Sequence, residues 1–171
     1  MNDRPYHIRA VIFFWEGTIV RQDQRSIKTL KATIDCPLHK TVLEFIRSLP
    51  DGPDKNDTLL KLAAREKTAA ARPELHPAAR EILDYLLAKD LRIGIISHSA
   101  LTTIRGSLQK LETIGENDFD FIFSLDNMAH QRPPTELIGL AAERLEVAIE
   151  NMAVISAIPS DIENARNQGA L

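Results

Sequence analysis

Cysteine is almost missing from this chain. Cys36 stands alone among 171 residues, which excludes an internal disulfide framework and a cysteine-rich zinc site. Long apolar runs are missing too, and none approaches the ~18 residues of a membrane-spanning helix. The first ten residues, MNDRPYHIRA, are polar and lack the apolar stretch of a secretory signal. Neither sign of charge dominates. A formal net charge of -3 gives no bulk attraction to nucleic acid or to an anionic membrane. His7, His39, His76 and His130 are scattered without metal-ligand spacing, and no internal repeat appears. Lys67–Arg72 (KTAAAR) is only a mild alanine-rich patch. What remains is ordinary globular material, 44% hydrophobic and 26% charged. At ~150 residues per domain the length suits one domain with room for a small insertion. Such a chain buries roughly 70% of its unfolded surface and needs no covalent staple. The expectation is a soluble, cytoplasmic protein.

Residues 9–15 (RAVIFFW) form a short run of bulky and β-branched side chains, followed at once by Gly17. The run does not alternate with polar residues, as expected for a parallel strand covered on both faces. Three similar runs follow, Leu91–Ser97, Phe119–Ser124 and Met152–Ser156. Helical spacing fills the intervals. Residues 77–89 place Ile82, Leu83, Leu86 and Leu87 on one predicted face, with Pro77 in a first turn. Residues 101–111 and 135–146 read likewise, with Thr135 and Glu136 at a helix start. Strands alternating with helices predict an α/β, Rossmann-like parallel sheet with helices on both faces.

Residues 20–76 break that alternation and hold no convincing strand. Helical pieces at about 38–48 and 57–70 flank the turn signal Pro50-Asp51-Gly52-Pro53. This stretch is predicted to be a small helical cap (20–76) on a core made of 1–19 and 77–171. Ligands of open parallel sheets bind at the carboxyl ends of the strands, where such an insertion stands as a lid.

Four segments sit at strand ends in a meaningful order: VIFFWEGTIV (11–20), IISHS (95–99), RPPTE (132–136) and VISAIPSDIENAR (154–166). Together they resemble the haloacid dehalogenase superfamily, most closely its phosphoglycolate phosphatase branch, over nearly the whole chain. In that family an Asp-x-Asp-Gly-Thr motif follows the first strand. Its first aspartate is the nucleophile that takes the phosphoryl group, and its second is the general acid and base. A Ser or Thr and a Lys neutralise phosphate oxygens, and later carboxylates join the first aspartate in holding Mg²⁺.

The departures from that pattern matter most. Phe14 stands at the nucleophile position, where it can neither form an acyl phosphate nor ligate a metal. Glu16 stands at the acid/base position, one methylene longer than aspartate, with Gly17 and Thr18 kept. Ser97, followed by His98, takes the hydroxyl position, and Arg132 before Pro133 best matches the lysine. Ser156-Ala157 replaces the usual Gly-Asp pair, leaving Asp161 beside Glu163 as the later acidic position. The resemblance therefore implies phosphate-binding roles for Thr18, Ser97, His98 and Arg132. It leaves a weak catalytic role for Glu16 and a weak metal role for Asp161. Mg²⁺ is the family cofactor, but two ligand positions are apolar, so no cofactor is expected. Structural readings stand beside these. Phe14 reads as core filling, Glu16 as an inherited polar group, and Asp161 as a cap of the helix running to Asn167.

Three functions stay open. The first is a non-catalytic binder of a phosphorylated small molecule or a protein partner, lacking the phosphoaspartate mechanism. The second is an altered hydrolase using Glu16 and Arg132, and the third is an interaction module with a closed pocket. The sequence stops at Gly169-Ala170-Leu171, where the family's fifth strand begins. Strand four is then expected to be an unprotected edge that pairs with a second copy or a protein partner.

Overall fold

The computed structural model describes residues 7–21, 24–40, 42–71, 74–128 and 136–171. Its centre is a four-stranded parallel sheet in the order β3-β2-β1-β4, with β1 Ala10–Phe14, β2 Arg92–Ile96, β3 Phe121–Phe123 and β4 Met152–Ile155. Each strand falls inside its predicted run and is shorter at one or both ends. All five residues of β1 are buried because the sheet is covered on both sides. Val11 and Phe13 face one cluster with Leu83 of α4 (Ala79–Leu87) and Ile104 and Leu108 of α5 (Leu101–Leu108). Ala10, Ile12 and Phe14 face the other, with Leu137, Ile138 and Ala141 of α7 (Leu137–Leu145, which follows the short α6, Leu125–Met128) and Ala165 of α8 (Pro159–Asn167). A strand buried on both faces has no polar face to show, which is why its sequence does not alternate. Gly94 is required on β2, since a Cβ there would lie 2.2 Å from the Phe121 ring.

Two helical expectations need correction. Ile82 is not on the buried face of α4; it is 45% exposed, while Leu83 is fully buried. Leu83, Leu86 and Leu87 form the stripe packed toward the sheet, and Ile82 lies at its edge, turned to solvent. The helix predicted over 101–111 ends as an α-helix at Leu108 and tightens into a 3₁₀ turn, Gln109–Leu111, before Glu112 takes a positive φ of 59°.

Between β1 and α4 lie α1 (Gln24–Thr33), α2 (Val42–Ser48) and α3 (Pro53–Ala71). No described residue of this stretch pairs into the main sheet; outside it, Val20 makes isolated bridges with Glu16 and Leu75. Leu30, Ile34 and Cys36 bury against Val42, Phe45 and Leu62, a small core apart from the two beside the sheet. α1 was not among the predicted pieces, yet Ile27, Leu30 and Ile34 carry its i, i+3, i+7 stripe. Pro53 belongs to the first turn of α3, where its missing N–H costs nothing. The chain leaves and returns through adjacent connectors. Arg21 N–H donates to the Glu74 carbonyl at 2.8 Å and His76 N–H to the Ile19 carbonyl at 2.9 Å. Helix α3 then lies against α5.

The free edge of β4 is not bare along its length. Leu171 N–H donates to the Met152 carbonyl at 3.0 Å, and Val154 N–H donates to the Leu171 carbonyl at 2.8 Å. Leu171 thus lies beside β4 in strand register. Among the described residues no helix is long and apolar enough to cross a membrane.

Candidate functional site

Three loops meet at the carboxyl ends of β2, β1 and β4, with the β1 loop in the middle. The chain after Phe14 turns tightly. Ile19 and Val20 N–H both donate to the Trp15 carbonyl at 3.1 Å, and Gly17 N–H donates to the Val20 carbonyl at 2.7 Å. Gly17 has φ +83°, open to glycine at little cost, and a Cβ there would lie 2.6 Å from Ala157 Cβ. The Thr18 hydroxyl donates back to the Phe14 carbonyl, so it braces this turn.

Glu16 leaves the turn toward the loop after β2. Its Oε1 accepts the Ser97 hydroxyl at 2.6 Å and the Ser99 hydroxyl at 2.9 Å, and its Oε2 accepts the His98 N–H at 3.3 Å. Ser97 Oγ also accepts the Ser99 N–H at 3.0 Å, which fixes the direction of its own proton. Ser97 has no exposed surface. A buried hydroxyl is costly unless paired, and one paired to a carboxylate is among the stronger hydrogen bonds. His98 takes part through its backbone; its Nδ1 is buried with no partner among the described residues.

The loop after β4 is arranged differently. Ser156 Oγ donates to Asp161 Oδ2 at 2.7 Å and accepts Ile158 N–H at 3.0 Å. Asp161 therefore does not cap α8 as expected. The N-cap is Ile158, without a capping side chain, and Asp161 lies in the first turn, where exposed N–H groups favour its charge. Phe14 is 5% exposed and packs with Ile12, Ile96 and Leu137.

The structure thus brings Glu16, Ser97 and His98 together, turns Thr18 to its own loop, and occupies Asp161 with Ser156. Arg132 lies outside the described residues. Ser99 was not singled out from the sequence. Its signal was its place two residues after Ser97, within reach of the same carboxylate. Mg²⁺ needs oxygen ligands. Phe14 and Ala157 offer none, Glu16 is held by three donors, and Asp161 is bonded to Ser156. Among the described residues no group of three or more His, Cys, Asp or Glu could hold a metal. These residues do not fit the family's Mg²⁺.

The chain is 27% identical over 184 residues to pyrophosphatase PpaX of Listeria welshimeri, covering 96% of this chain and 81% of the relative. A hydrolase from Pseudomonas syringae superposes with a TM-score of 0.75 at 19% identity, over 95% of this chain and 82% of that one. CbbY from Rhodobacter sphaeroides, solved in complex with phosphate, gives 0.68 at 17% identity over 95% and 84%. These structures share the fold of parallel sheet and helices described above. The haloacid dehalogenase-like hydrolase family matches residues 16–170, from Glu16 through the Ser97 loop to α8, and the chain belongs to that family.

Proposed function

We propose that this protein is a haloacid dehalogenase-like family member without the phosphoaspartate phosphatase mechanism, which binds a phosphorylated small molecule or a protein partner. Phe14 carries the reading. The position of the family nucleophile holds a buried phenyl ring packed into the core. A phenyl ring takes no phosphoryl group, and positioning cannot replace a missing nucleophile in covalent catalysis. The name of the relative, pyrophosphatase, supports a ligand rich in phosphate oxygens. Residues 20–76 are taken as the cap of this binding site, supported by the paired connectors at 19–21 and 74–76. In the protein-partner arm the partner pairs with the β4 edge beyond Leu171, where Ile155 is 39% exposed.

A panel of phosphate esters and pyrophosphate, with and without Mg²⁺, tests the reading alongside thermal shifts. The expected result is no turnover, with one class of phosphorylated compound raising the melting temperature by the RT ln(1 + [L]/Kd) of a folded-state ligand. Mg²⁺-dependent turnover by the wild-type chain would overturn it in favour of a hydrolase using Glu16. Calorimetry adds a second check. Micromolar Mg²⁺ binding that vanishes in Asp161→Ala would show that the metal site survives.

A further inference from the structure

The donors around Glu16 belong together. Two hydroxyls and one backbone N–H, all from Ser97–Ser99, converge on the two oxygens of one carboxylate at 2.6–3.3 Å. Consecutive donors of a short loop aimed at one point form a cradle for an oxyanion. Such a cradle recognises acceptor oxygens and negative charge, and a phosphate supplies both as well as a carboxylate does. We propose that Glu16 is an internal ligand of an oxyanion cradle made by Ser97, His98 and Ser99, and that a phosphate group enters only by displacing it.

The local geometry makes Glu16 a side-chain gate. Its backbone is fixed by the turn in which Gly17 N–H reaches the Val20 carbonyl and Trp15 carbonyl accepts Ile19 and Val20. The loop after β2 is equally fixed. Ser97 N–H donates to the Phe123 carbonyl at 2.8 Å and Leu125 N–H donates to the Ser99 carbonyl at 2.9 Å. The rotatable bonds of the Glu16 side chain are the moving part. Its carboxylate supplies acceptors to the hydroxyls and the N–H, and its charge repels a second anion at the same place. A ligand therefore meets competition from the chain itself. The inference rests on the functional reading above only for the class of ligand, a phosphate-type oxyanion.

Inorganic phosphate is the probe, titrated by calorimetry into the full chain as wild type, Glu16→Ala, Glu16→Gln, and Glu16→Ala combined with Ser97→Ala. Glu16→Ala is expected to bind phosphate at least about tenfold more tightly than wild type, the equivalent of about 1.4 kcal/mol. Glu16→Gln keeps the shape and the acceptor oxygen but drops the charge. It should gain less, and it keeps the test available if the alanine variant folds poorly. Removing the Ser97 hydroxyl from the Glu16→Ala protein should abolish the gain. Equal affinity in wild type and both single variants would overturn the proposal, as would a gain that survives the loss of Ser97. Turnover by the wild type would sink the functional reading without touching this competition. Equal phosphate affinities would sink the competition without restoring turnover.

Discussion

The loop after β2 and the loop after β4 flank the same turn and behave in opposite ways. The first spends its donors on a partner 81 to 83 residues away in sequence, the Glu16 carboxylate. The second bonds Ser156 to Asp161 five residues on and sets the Ala157 methyl against Gly17 of the central turn. One side of the turn is therefore joined to it across strands by polar groups, and the other meets it through a methyl group. Two strand ends with the same topology carry different chemistry because one aims its donors at the central turn and the other sets a methyl group against it.

The largest expected effect tests the apolar side. Phe14→Ala should destabilise the protein by about 3–5 kcal/mol in urea unfolding, the usual cost of emptying a buried aromatic site. Phe14→Asp should show no Mg²⁺-dependent phosphatase activity, because Ala157 still supplies no oxygen. Turnover by that single variant would show the β4 side to be more polar in action than in structure. Next in size is Gly17→Ala, which should cost about 2–3 kcal/mol through positive φ and overlap with Ala157. Adding Ala157→Gly should recover the steric part and leave the backbone part, a coupling that an uncrowded turn would not show.

The two loops themselves separate at the next level. Both hydroxyls donate to a carboxylate, but Ser97 is fully buried and Ser156 only half-buried, so Ser97→Ala should cost about 1.5–3 kcal/mol and Ser156→Ala less. Equal losses would erase the contrast between them. The smallest effect lies away from both loops. Arg105 hydrogen-bonds Glu116 at 2.6 and 3.0 Å and by that bond holds the Glu116 carboxyl below its ordinary value. A lowered carboxyl pKa stabilises the fold above the unfolded value and loses that contribution as pH falls through the folded one. Glu116→Gln should thus lower the melting temperature slightly at neutral pH, less in high salt, and not at all in acid.

Much of this contrast was legible in the residues. The four strands stood out because a parallel strand between helical layers needs apolar side chains on both faces. Glu16, Ser97 and His98 stood out because the strand-end segments that hold them resemble the family's motifs. Ser99 did not, since a serine in a loop has no distinguishing neighbour until a carboxylate from another strand reaches it. Asp161 was legible as an acid at a helix start, but its bond to Ser156 depends on the path of residues 156–161. Helix α1 went unread although its Ile27, Leu30 and Ile34 stripe was present, because its buried face turns to α2 and α3 rather than to the sheet.

The sequence by itself determined the four strand runs, the resemblance to the family, and the absence of a side-chain oxygen at Phe14 and Ala157. These are local properties, set by the apolar periodicity and by which atoms a side chain carries. Only the tertiary structure decided that Glu16 meets Ser97, His98 and Ser99, and that Leu171 lies along β4. Each of those depends on hydrogen-bond distances of about 3 Å between separately placed segments, and such distances exist only once the sheet has brought the strand ends together.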